Sequence, residues 1–389
     1  MKIGIFSECY DPVINGVVHS IHSTKKGLEE LGHEVYIFTP NYRAKNVKSP
    51  EIIPCSSISL GKSGYHYVLK IPDSAKKIAA SLDLFHTHHP FVMGQAALKL
   101  AEKLKKPICF THHTQYSQYE TYVPIFKGTF KKWLPGYMRK FCNRCTLIIA
   151  PSRGIKKVIE GYQSKTPIEV VPNGIEVERF WEKNLPKPKE FAAVSQGEKS
   201  IIYVGRVAYE KNVDFVVKSF AKVVKAKEAV KLIIVGGGPA FEEIKKMAEE
   251  LGASKKIIFT GPIAYEQIRN FYAYADFFVT ASKTEVHPLV GLEAMASGLP
   301  IVALSAIGYD DIVEDGKTGY LSRDNLDEYA EKVVKLLKNP ELIKKMSAAA
   351  KAASKNYSIA AAAKNMLAAY QKAIALSQKS KVISQKYKL

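Results

Sequence analysis

The chain has 389 residues, 47% of them hydrophobic, and a formal net charge of +20. This length predicts two domains, and no apolar run approaches the ~18 residues of a membrane span. The opening MKIGIFSECY has too short an apolar run for a signal peptide. Five scattered cysteines predict free thiols in a reduced cytoplasm rather than a zinc site at Cys142 and Cys145.

Short strand-like runs alternate with helical segments in the first half. The strand-like runs are KIGIFS, EVYIFTP, DLFHTH, PICFTHH and TLIIAPS, and a helical segment, STKKGLEELG, ends at a glycine. Continuous apolar strands that alternate with helices predict a parallel, doubly wound sheet. Between the first strand and the first helix lies Asn15-Gly16, where a glycine lets a substrate approach the backbone or simply makes a tight turn.

The same alternation restarts in the second half, after a polar stretch near residues 173–198 that is predicted to be the linker between the two domains. Its strands are SIIYVGR, KLIIVGGG, KIIFTGP, DFFVTAS, LPIVALS and TGYLS. The predicted fold class is α/β, with two Rossmann-like, doubly wound parallel-sheet domains facing across a cleft, where ligands lie at the strands' carboxyl ends. The predicted domains are 1–172, completed by a packing helix at 363–389, and 173–362.

Three second-half features suit a phosphate. Arg206 follows a strand and Lys211 comes five residues later, so the two cations could neutralise a diphosphate, although solvated surface charge is the default reading. VGGGP at 235–239 is a weak glycine turn. Pro288 predicts a helix start, with Glu285 in the loop before it and Glu293 inside it. That arrangement suggests an anion or sugar over the helix N-terminus with one acid on each side.

Histidines cluster at two strand ends of the first half. FHTHHP and FTHHTQY place them where a metal site is conceivable, but acidic residues near these strands are few. A polar lining of the cleft is therefore favoured over metal ligation. The histidines are His86, His88, His89, His112 and His113.

Seven motifs in order resemble those of one enzyme family. They are INGVVHSI, FTHHT, VVPNGIEVERF, GRVAYEKN, VGGGP, FTGPI and SKTEVHPLVGLEAMASGLPIVA. Together they resemble the retaining, nucleotide-sugar-dependent glycosyltransferases of the GT-B fold, family 4. The resemblance covers nearly the whole chain and is strongest to the bacterial members that glycosylate diacylglycerol.

The resemblance implies roles for particular residues. It places the donor sugar's hydroxyls at Glu285, the ribose at Glu293, and the base near 261–263. The catalytic residues it implies are His113, Glu285, Arg206 and Lys211. The implied donor-binding residues are Gly16, Arg206, Lys211, Gly261, Pro262, Ile263, Glu285, His287, Pro288, Leu289, Val290 and Glu293.

The resemblance also implies a donor and an acceptor. UDP-glucose or UDP-galactose would be the donor and diacylglycerol the acceptor, and the product would be an alpha-monoglycosyl lipid. No cofactor or metal is required in this family, and no Asp-x-Asp motif occurs here. His287 stands where relatives often carry an aromatic residue or glutamine, which leaves the sugar-specific contact open.

A basic, aromatic segment indicates a membrane partner. Residues 121–159 contain nine Lys and Arg and no acid. Aromatic residues recur there at three- and four-residue steps up to Phe141, which predicts an interfacial helix in two short pieces, broken at Gly128 and at LPG 134–136. An ordinary packing helix is the alternative, and SGYHYVLKIP adds tyrosines expected to be exposed. The acceptor or membrane residues predicted are Asn15, Phe126, Phe130, Lys131, Lys132, Trp133, Tyr137, Arg139 and Lys140.

Three functions remain open at this point. The first is a peripheral lipid glycosyltransferase at the cytoplasmic face of the cell membrane, with an anionic surface as partner. The second keeps the enzyme but gives it a soluble sugar, polysaccharide or small-metabolite acceptor. The third, a nucleic-acid-binding protein, lacks any matching motif and leaves the two glutamates unexplained. The pattern does not predict the oligomeric state.

Overall fold

Two largely parallel β-sheets form the centres of the fold. The computed structural model describes residues 1–42, 49–59, 66–116, 129–226 and 228–386. The chain divides into two units, Met1–Gly174 with Ile359–Leu389, and Ile175–Ser358. Each unit is a Rossmann-like α/β domain, as the strand and helix alternation predicts.

The first domain has an eight-stranded sheet in the order β4-β3-β2-β1-β5-β6-β7-β8. Only the β3–β4 pair is antiparallel. The strands are β1 (Lys2–Phe6), β2 (Glu34–Pro40), β3 (Ile52–Ser59), β4 (His66–Lys70), β5 (Leu84–Thr87), β6 (Ile108–Thr111), β7 (Leu147–Ala150) and β8 (Ile168–Val170). The helices are α1 (Gly16–Glu30), α2 (Asp73–Ser81), α3 (Val92–Leu104), α4 (Thr129–Cys142), α5 (Arg153–Glu160) and α12 (Ile359–Lys386).

The last helix belongs to the first domain. Met366, Tyr370 and Ala373 of α12 are buried in one core cluster with Ile21 and Leu28 of α1. Gly27 lets the two helices approach closely, because a Cβ there would lie 2.6 Å from the Cβ of Ala363. The predicted packing role of the alanine-rich tail is therefore confirmed.

The second domain has a six-stranded parallel sheet in the order β11-β10-β9-β12-β13-β14. Its strands are β9 (Lys199–Val204), β10 (Val230–Val235), β11 (Ile257–Gly261), β12 (Phe277–Thr280), β13 (Ile301–Leu304) and β14 (Gly319–Ser322). Its helices are α6 (Val213–Lys225), α7 (Phe241–Glu250), α8 (Tyr265–Tyr274), α9 (Leu289–Ala296), α10 (Leu326–Leu337) and α11 (Pro340–Ser354). Two apolar clusters pack on the sheet, one with α6, α7 and α10 and the other with α8 and α9.

The polar stretch near 173–198, predicted to be a linker, is mostly packed in the second domain. Val177 and Phe180 are buried in the same cluster as α9 of the second domain. Phe191 is 2% exposed and its ring lies 6.1 Å from that of Phe271. The segment is thus packed structure of the second domain, despite its lysines and prolines.

Helix α4 differs from its prediction in two ways. It runs unbroken from Thr129 to Cys142 with Pro135 inside it, so the expected break at 134–136 is wrong. The aromatic stripe does not face outward as a unit, because Phe141 is 1% exposed and packs in the core. Phe126 lies outside the described residues, as do the side chains of Phe130 and Lys131.

The outward face of α4 is nonetheless basic. Lys132, Trp133, Arg139 and Lys140 are exposed, and Trp133 is 49% exposed. Tyr137 is half-buried, and its hydroxyl donates a 2.7 Å hydrogen bond to the carbonyl of Pro90. Trp133 stacks on Tyr137 at 4.6 Å, so one large aromatic ring remains at the surface among the cations.

Candidate active site

Three glycine turns meet at the carboxyl edge of the second sheet. The Gly205 N–H donates to the carbonyl of Val235 at 3.0 Å, and the Gly236 N–H donates to that of Gly261 at 3.0 Å. A Cβ at Gly236 would lie 2.0 Å from the Gly205 carbonyl oxygen. Only glycine therefore lets the ends of β9, β10 and β11 come this close. The weak VGGGP motif and the FTGPI segment are parts of one surface.

The two predicted phosphate-binding cations follow β9. Lys211 forms an ion pair with Glu285, with 2.5 Å between Nζ and Oε1, and both side chains are about one-fifth exposed. The Ser282 hydroxyl donates to the same Glu285 oxygen at 3.2 Å. Arg206 pairs with Glu210 and is more exposed. Each cation therefore has a carboxylate partner within the domain, and this partner neutralises its positive charge.

Helix α9 begins where the sequence predicts it. Pro288 is its N-cap residue, and no side chain caps it. The Leu289 and Val290 N–H groups lie in its first turn, where a helix offers no internal acceptor. The helix dipole adds partial positive charge at this end. Glu285 lies before the helix and Glu293 within it, as predicted.

The loop that carries Glu285 is supported by a second glycine-containing loop. A Cβ at Gly308 would lie 2.8 Å from the Glu285 Cβ. A Cβ at Gly291 would lie 3.0 Å from the Tyr309 ring, so α9 and the loop at 308–309 also touch. This packing fixes the backbone on which the Lys211 ion pair depends.

Glu293 is buried, and two tyrosines hold it. Its residue is 4% exposed, and burial raises the pKa of its carboxyl to about 7. The Tyr265 hydroxyl donates to it at 3.0 Å and the Tyr272 hydroxyl at 3.4 Å. The Arg179 guanidinium lies 4.6 Å above the Tyr265 ring. A buried carboxyl with donors of its own has an environment unlike that of Glu285, which is half-buried and ion-paired.

Several of these partners are absent from the sequence prediction. Tyr265 and Tyr272 are seven residues apart on α8, two turns along one face, and that spacing is the signal that could have indicated them. Ser282 and Gly308 carry no comparable signal, because both reach Glu285 through loop geometry. Gly261 is the last residue of β11, and Pro262 and Ile263 follow it, with Pro262 exposed.

His287 turns inward rather than toward solvent. It is 6% exposed, and burial lowers the pKa of its imidazole to about 4. Its ring lies 5.5 Å from that of Tyr357. Nδ1 is buried and has no hydrogen-bond partner within the part of the chain that the structure describes. The ring is therefore neutral and packed against Tyr357.

The predicted residues Asn15 and Gly16 lie at the start of α1 in the first domain. The Asn15 side chain caps the helix by accepting from the N–H groups of Val17 and Val18 at 3.0 and 2.9 Å. A Cβ at Gly16 would meet nothing within 4 Å. The protein's own packing therefore does not require a glycine there.

The histidines at the ends of β5 and β6 are largely interior. His86, His88 and His112 are each at most 1% exposed, so the expectation that they line a cleft is wrong for these three. Nδ1 of His86 lies 2.7 Å from the Tyr370 hydroxyl, and Nε2 of His112 lies 3.2 Å from the Tyr162 hydroxyl. His89 and His113 are half-buried. Within the described ranges, no three His, Cys, Asp or Glu side chains are arranged to hold a metal ion.

Comparisons with known proteins decide the family. The family model described as Glycosyltransferase Family 4 matches residues 14–179, and the model described as Glycosyl transferases group 1 matches residues 187–353. An alpha-monoglucosyldiacylglycerol synthase of Acholeplasma laidlawii is 31% identical, covering 92% of this chain and 93% of its own length. The chain belongs to the family 4 glycosyltransferases. It is a GT-B enzyme.

Further comparisons agree with this assignment. An alpha-monoglucosyldiacylglycerol synthase of Streptococcus pneumoniae is 32% identical over 82% of this glycosyltransferase and 75% of its own length. Among solved structures, sucrose-phosphate synthase of Thermosynechococcus elongatus has a TM-score of 0.77 at 18% identity, covering 96% of this chain and 99% of its own. Anabaena HepE, solved with UDP-glucose, has a TM-score of 0.72 at 17% identity, covering 97% and 100%. These two structures share the fold.

No helix in the described ranges of the glycosyltransferase combines the length and the apolar character needed to cross a membrane.

The raised pKa of Glu293 predicts a pH-dependent stability. Unfolded, the carboxyl loses its proton near pH 4.5, whereas the folded enzyme keeps it until about pH 7. The folded state thus binds more protons in this window, so its stability falls as pH rises from about 4.5 to 7. Glu293→Gln removes this loss, which is on the order of 3 kcal/mol.

Urea unfolding of both proteins at pH 5 and pH 8 checks this. The free energy of unfolding of Glu293→Gln, relative to the original enzyme, should be higher at pH 8 than at pH 5. The control is Glu266→Gln, which changes an exposed carboxylate on α8. An equal difference at both pH values for Glu293→Gln would show that this carboxyl titrates normally.

Proposed function

We propose that this glycosyltransferase moves a hexose from a UDP-sugar, UDP-glucose or UDP-galactose, to diacylglycerol at a membrane surface. The anomeric configuration is retained, and the product is an alpha-monoglycosyl lipid. The observation that carries the donor half is the start of α9, an uncapped helix N-terminus between two glutamates in different environments. Two relatives named alpha-monoglucosyldiacylglycerol synthases support the lipid acceptor.

The donor's diphosphate lies over the start of α9 in this proposal. The N–H groups of Leu289 and Val290 meet it from one side, and Arg206 and Lys211 from the other. Lys211 is 2.5 Å from Glu285 without a donor, so binding exchanges this ion pair for contacts to phosphate. Glu285 is then released to accept hydrogen bonds from the sugar hydroxyls.

In this proposal Glu293 binds the ribose, and the turn at 261–263 contacts the base. The Glu293 carboxyl is buried beside α8, one turn or more from the helix start that holds the phosphates. In the first domain, Gly16 lies under the donor phosphates, and the open space where its Cβ would be supports this. The proposed transfer needs no metal ion, because the cations and the helix end carry the charge that neutralises the diphosphate.

The reaction needs one bond exchanged for another at the anomeric carbon. The acceptor hydroxyl attacks on the face that the nucleotide leaves, its oxygen bonds to that carbon, and the bond to the phosphate oxygen breaks with its electron pair. The departing phosphate oxygen takes the acceptor's proton. Arg206, Lys211 and the α9 terminus stabilise the diphosphate as its charge grows. His113 lies beside the reacting centre in this proposal.

The outward face of α4 provides the membrane contact. Lys132, Arg139 and Lys140 are exposed there together with the half-exposed Trp133. Cations attract anionic headgroups, and an indole ring suits the interface between headgroups and acyl chains. Leu134 and Phe141 of the same helix are buried in the domain core. In this proposal α4 therefore contacts the membrane surface with its outer face and stays packed in the domain.

Removing the cations should abolish most of the transfer. Arg206→Ala and Lys211→Gln are each expected to lower turnover by roughly 100-fold, because each cation stabilises the leaving diphosphate. Both should also weaken UDP binding measured by calorimetry. Lys283→Ala is the matched control. Lys283 lies two residues before Glu285 in the same loop, is exposed, and forms an ion pair with Asp324. Near-normal turnover of both folded variants would refute the donor site.

The acceptor is tested by offering lipid and soluble candidates together. The enzyme is supplied with labelled UDP-glucose or UDP-galactose, with vesicles of diacylglycerol and anionic phospholipid, and with soluble sugars and malate. We expect label in diacylglycerol, more with anionic than with neutral vesicles, and less as salt rises, because headgroup attraction is screened. Label only in a soluble acceptor would refute the lipid proposal and leave the donor site standing.

A charge-reversal pair isolates the contribution of α4. Lys132→Glu with Lys140→Glu is expected to reduce vesicle binding by roughly 10-fold, since each lysine near the surface contributes to attraction. Lys222→Glu with Lys225→Glu, on α6 of the second domain, makes the same charge change elsewhere. Equal losses for both pairs would mean that net charge, and not the α4 face, drives adsorption.

A further inference from the structure

An arginine outside the proposed donor contacts lies against one of the tyrosines that hold Glu293. Arg179 belongs to VVPNGIEVERF, a motif that supplies no residue to the proposed donor site. Its guanidinium carbon is 4.6 Å from the centroid of the Tyr265 ring. A cation at this distance over an aromatic face is attracted by the charge distribution of the ring. Arg179 and Tyr265 therefore form a cation–π pair, and both residues belong to the second domain.

The short turn that carries Arg179 is anchored on two helices. It is one turn of 3-10 helix, Val177–Phe180, in which Val177 is 0% and Phe180 7% exposed. Both side chains pack in one core cluster with α9. The Phe180 ring lies 6.1 Å from that of Tyr272 on α8. The backbone on each side of Arg179 is therefore fixed against α8 and α9.

The two tyrosine hydroxyls that contact Glu293 are not equivalent. The Tyr272 hydroxyl lies 3.4 Å from Oε2 of Glu293 and 3.1 Å from the carbonyl oxygen of Val290, and it has one proton to donate. The Tyr265 hydroxyl donates to Oε1 of Glu293 at 3.0 Å. The shorter hydrogen bond to this carboxyl therefore comes from Tyr265, the ring that Arg179 covers.

The charge of Arg179 also acts on this carboxyl. Arg206 and Arg269 each form an ion pair with a glutamate, whereas Arg179 has no such ion pair within the described part of the chain. Burial raises the pKa of Glu293, and the two tyrosine hydrogen bonds and then the Arg179 charge oppose part of that rise. Each hydrogen bond has a larger effect than the charge. Arg179 can therefore influence Glu293 most by keeping the Tyr265 hydroxyl in place.

We propose that Arg179 is a positioning residue of the nucleotide site, which holds the Tyr265 hydroxyl against Glu293 so that this carboxylate accepts hydrogen bonds from the ribose. This inference rests on the proposed function, which assigns the ribose to Glu293. An ionised carboxyl is an acceptor at both oxygens, and a hydroxyl that donates to it favours that form. Without Arg179, the Tyr265 ring loses its contact on one face and its hydroxyl is held less firmly.

A test that needs no ligand compares stability at two pH values. Arg179→Met removes the cation and keeps an unbranched side chain. We expect it to raise the pKa of Glu293 further, because it weakens the charge and the hydrogen bond that oppose burial. The folded state then keeps its proton to a higher pH, so the variant loses more stability than the original enzyme between pH 5 and pH 8.

Urea unfolding at both pH values measures this difference. In the Glu293→Gln background, Arg179→Met should cost the same stability at pH 5 and at pH 8, because the titrating carboxyl is gone. An equal cost at both pH values in the original enzyme would show that Arg179 does not act on Glu293, and the inference would be overturned.

Binding of UDP-glucose, followed by calorimetry, connects the pair to the nucleotide. The charge of this probe does not change between pH 7 and pH 8.5, so a change in affinity reports the protein. We expect Arg179→Met to weaken binding by roughly 3- to 10-fold at pH 7. The loss should be smaller at pH 8.5, where more of Glu293 is ionised in both proteins. Arg179→Lys keeps a cation over the ring and should recover most of the binding.

Two further variants supply the coupling and the control. In Tyr265→Phe, which keeps the ring and removes the hydroxyl, Arg179→Met should weaken binding little further. Arg269→Met makes the same substitution on α8, at an arginine paired with Glu182, and should leave binding unchanged. Thermal unfolding of each variant corrects for the folded fraction.

The outcomes separate this inference from the proposed function. If Glu293→Ala binds UDP-glucose as tightly as the original enzyme, Glu293 does not hold the ribose, and that part of the proposed function fails together with the role of Arg179. If Glu293→Ala loses binding but Arg179→Met binds normally, or loses equally at both pH values, only the positioning inference is overturned. An equal loss from Arg179→Met with and without the Tyr265 hydroxyl would overturn it as well.

Discussion

The ion pair between Lys211 and Glu285 links the main parts of the second domain's site. It joins the turn after β9 to the loop before α9, residues 74 positions apart in the chain. A sheet edge that gathers two cations and a helix N-terminus would repel itself unless carboxylates balanced the charge. Glu285 and Glu210 provide that balance, and Gly308 lets the supporting loop pack against Glu285. In the proposed function, a diphosphate replaces these carboxylates as the partner of the two cations.

The two glutamates differ in burial and in their hydrogen-bond partners. Glu285 is half-buried beside a lysine and a serine, so it remains able to change partners. Glu293 is enclosed beside α8, where burial raises the pKa of its carboxyl. Two tyrosine hydroxyls donate hydrogen bonds that fix its position and oppose part of that rise. Two carboxyl groups eight positions apart in one loop and helix thus have different chemistry, because one precedes the helix and the other packs inside the domain.

The sequence patterns predict the local parts of this site better than its long-range contacts. Pro288 marks the start of α9, and apolar runs mark the strands, because proline geometry and burial on both sheet faces act over a few residues. The strands β3, β4 and β8 have no such continuous apolar run and are not predicted. The partners of Glu285 and Glu293 come from loops and helices remote in sequence, so no local pattern contains them.

The aromatic and histidine clusters show where periodicity misleads. A stripe of aromatics among lysines is equally compatible with an interfacial helix and with a packed one. In α4 the aromatic residues are divided, with Phe141 in the core and Trp133 at the surface. Histidines at strand ends suggest a wet cleft, yet neighbouring strands bury His86 and His88 between hydroxyls and rings. The end of β5 at His86 is covered by Tyr370 of α12, which lies 284 residues away in the chain.

The most direct test of this account is a crystal structure of the enzyme with UDP bound. We expect the diphosphate within hydrogen-bond distance of the Leu289 and Val290 N–H groups and of Lys211, which will have left Glu285. The ribose should contact Glu293. A diphosphate bound away from the start of α9, with the Lys211–Glu285 ion pair intact, would contradict the central claim.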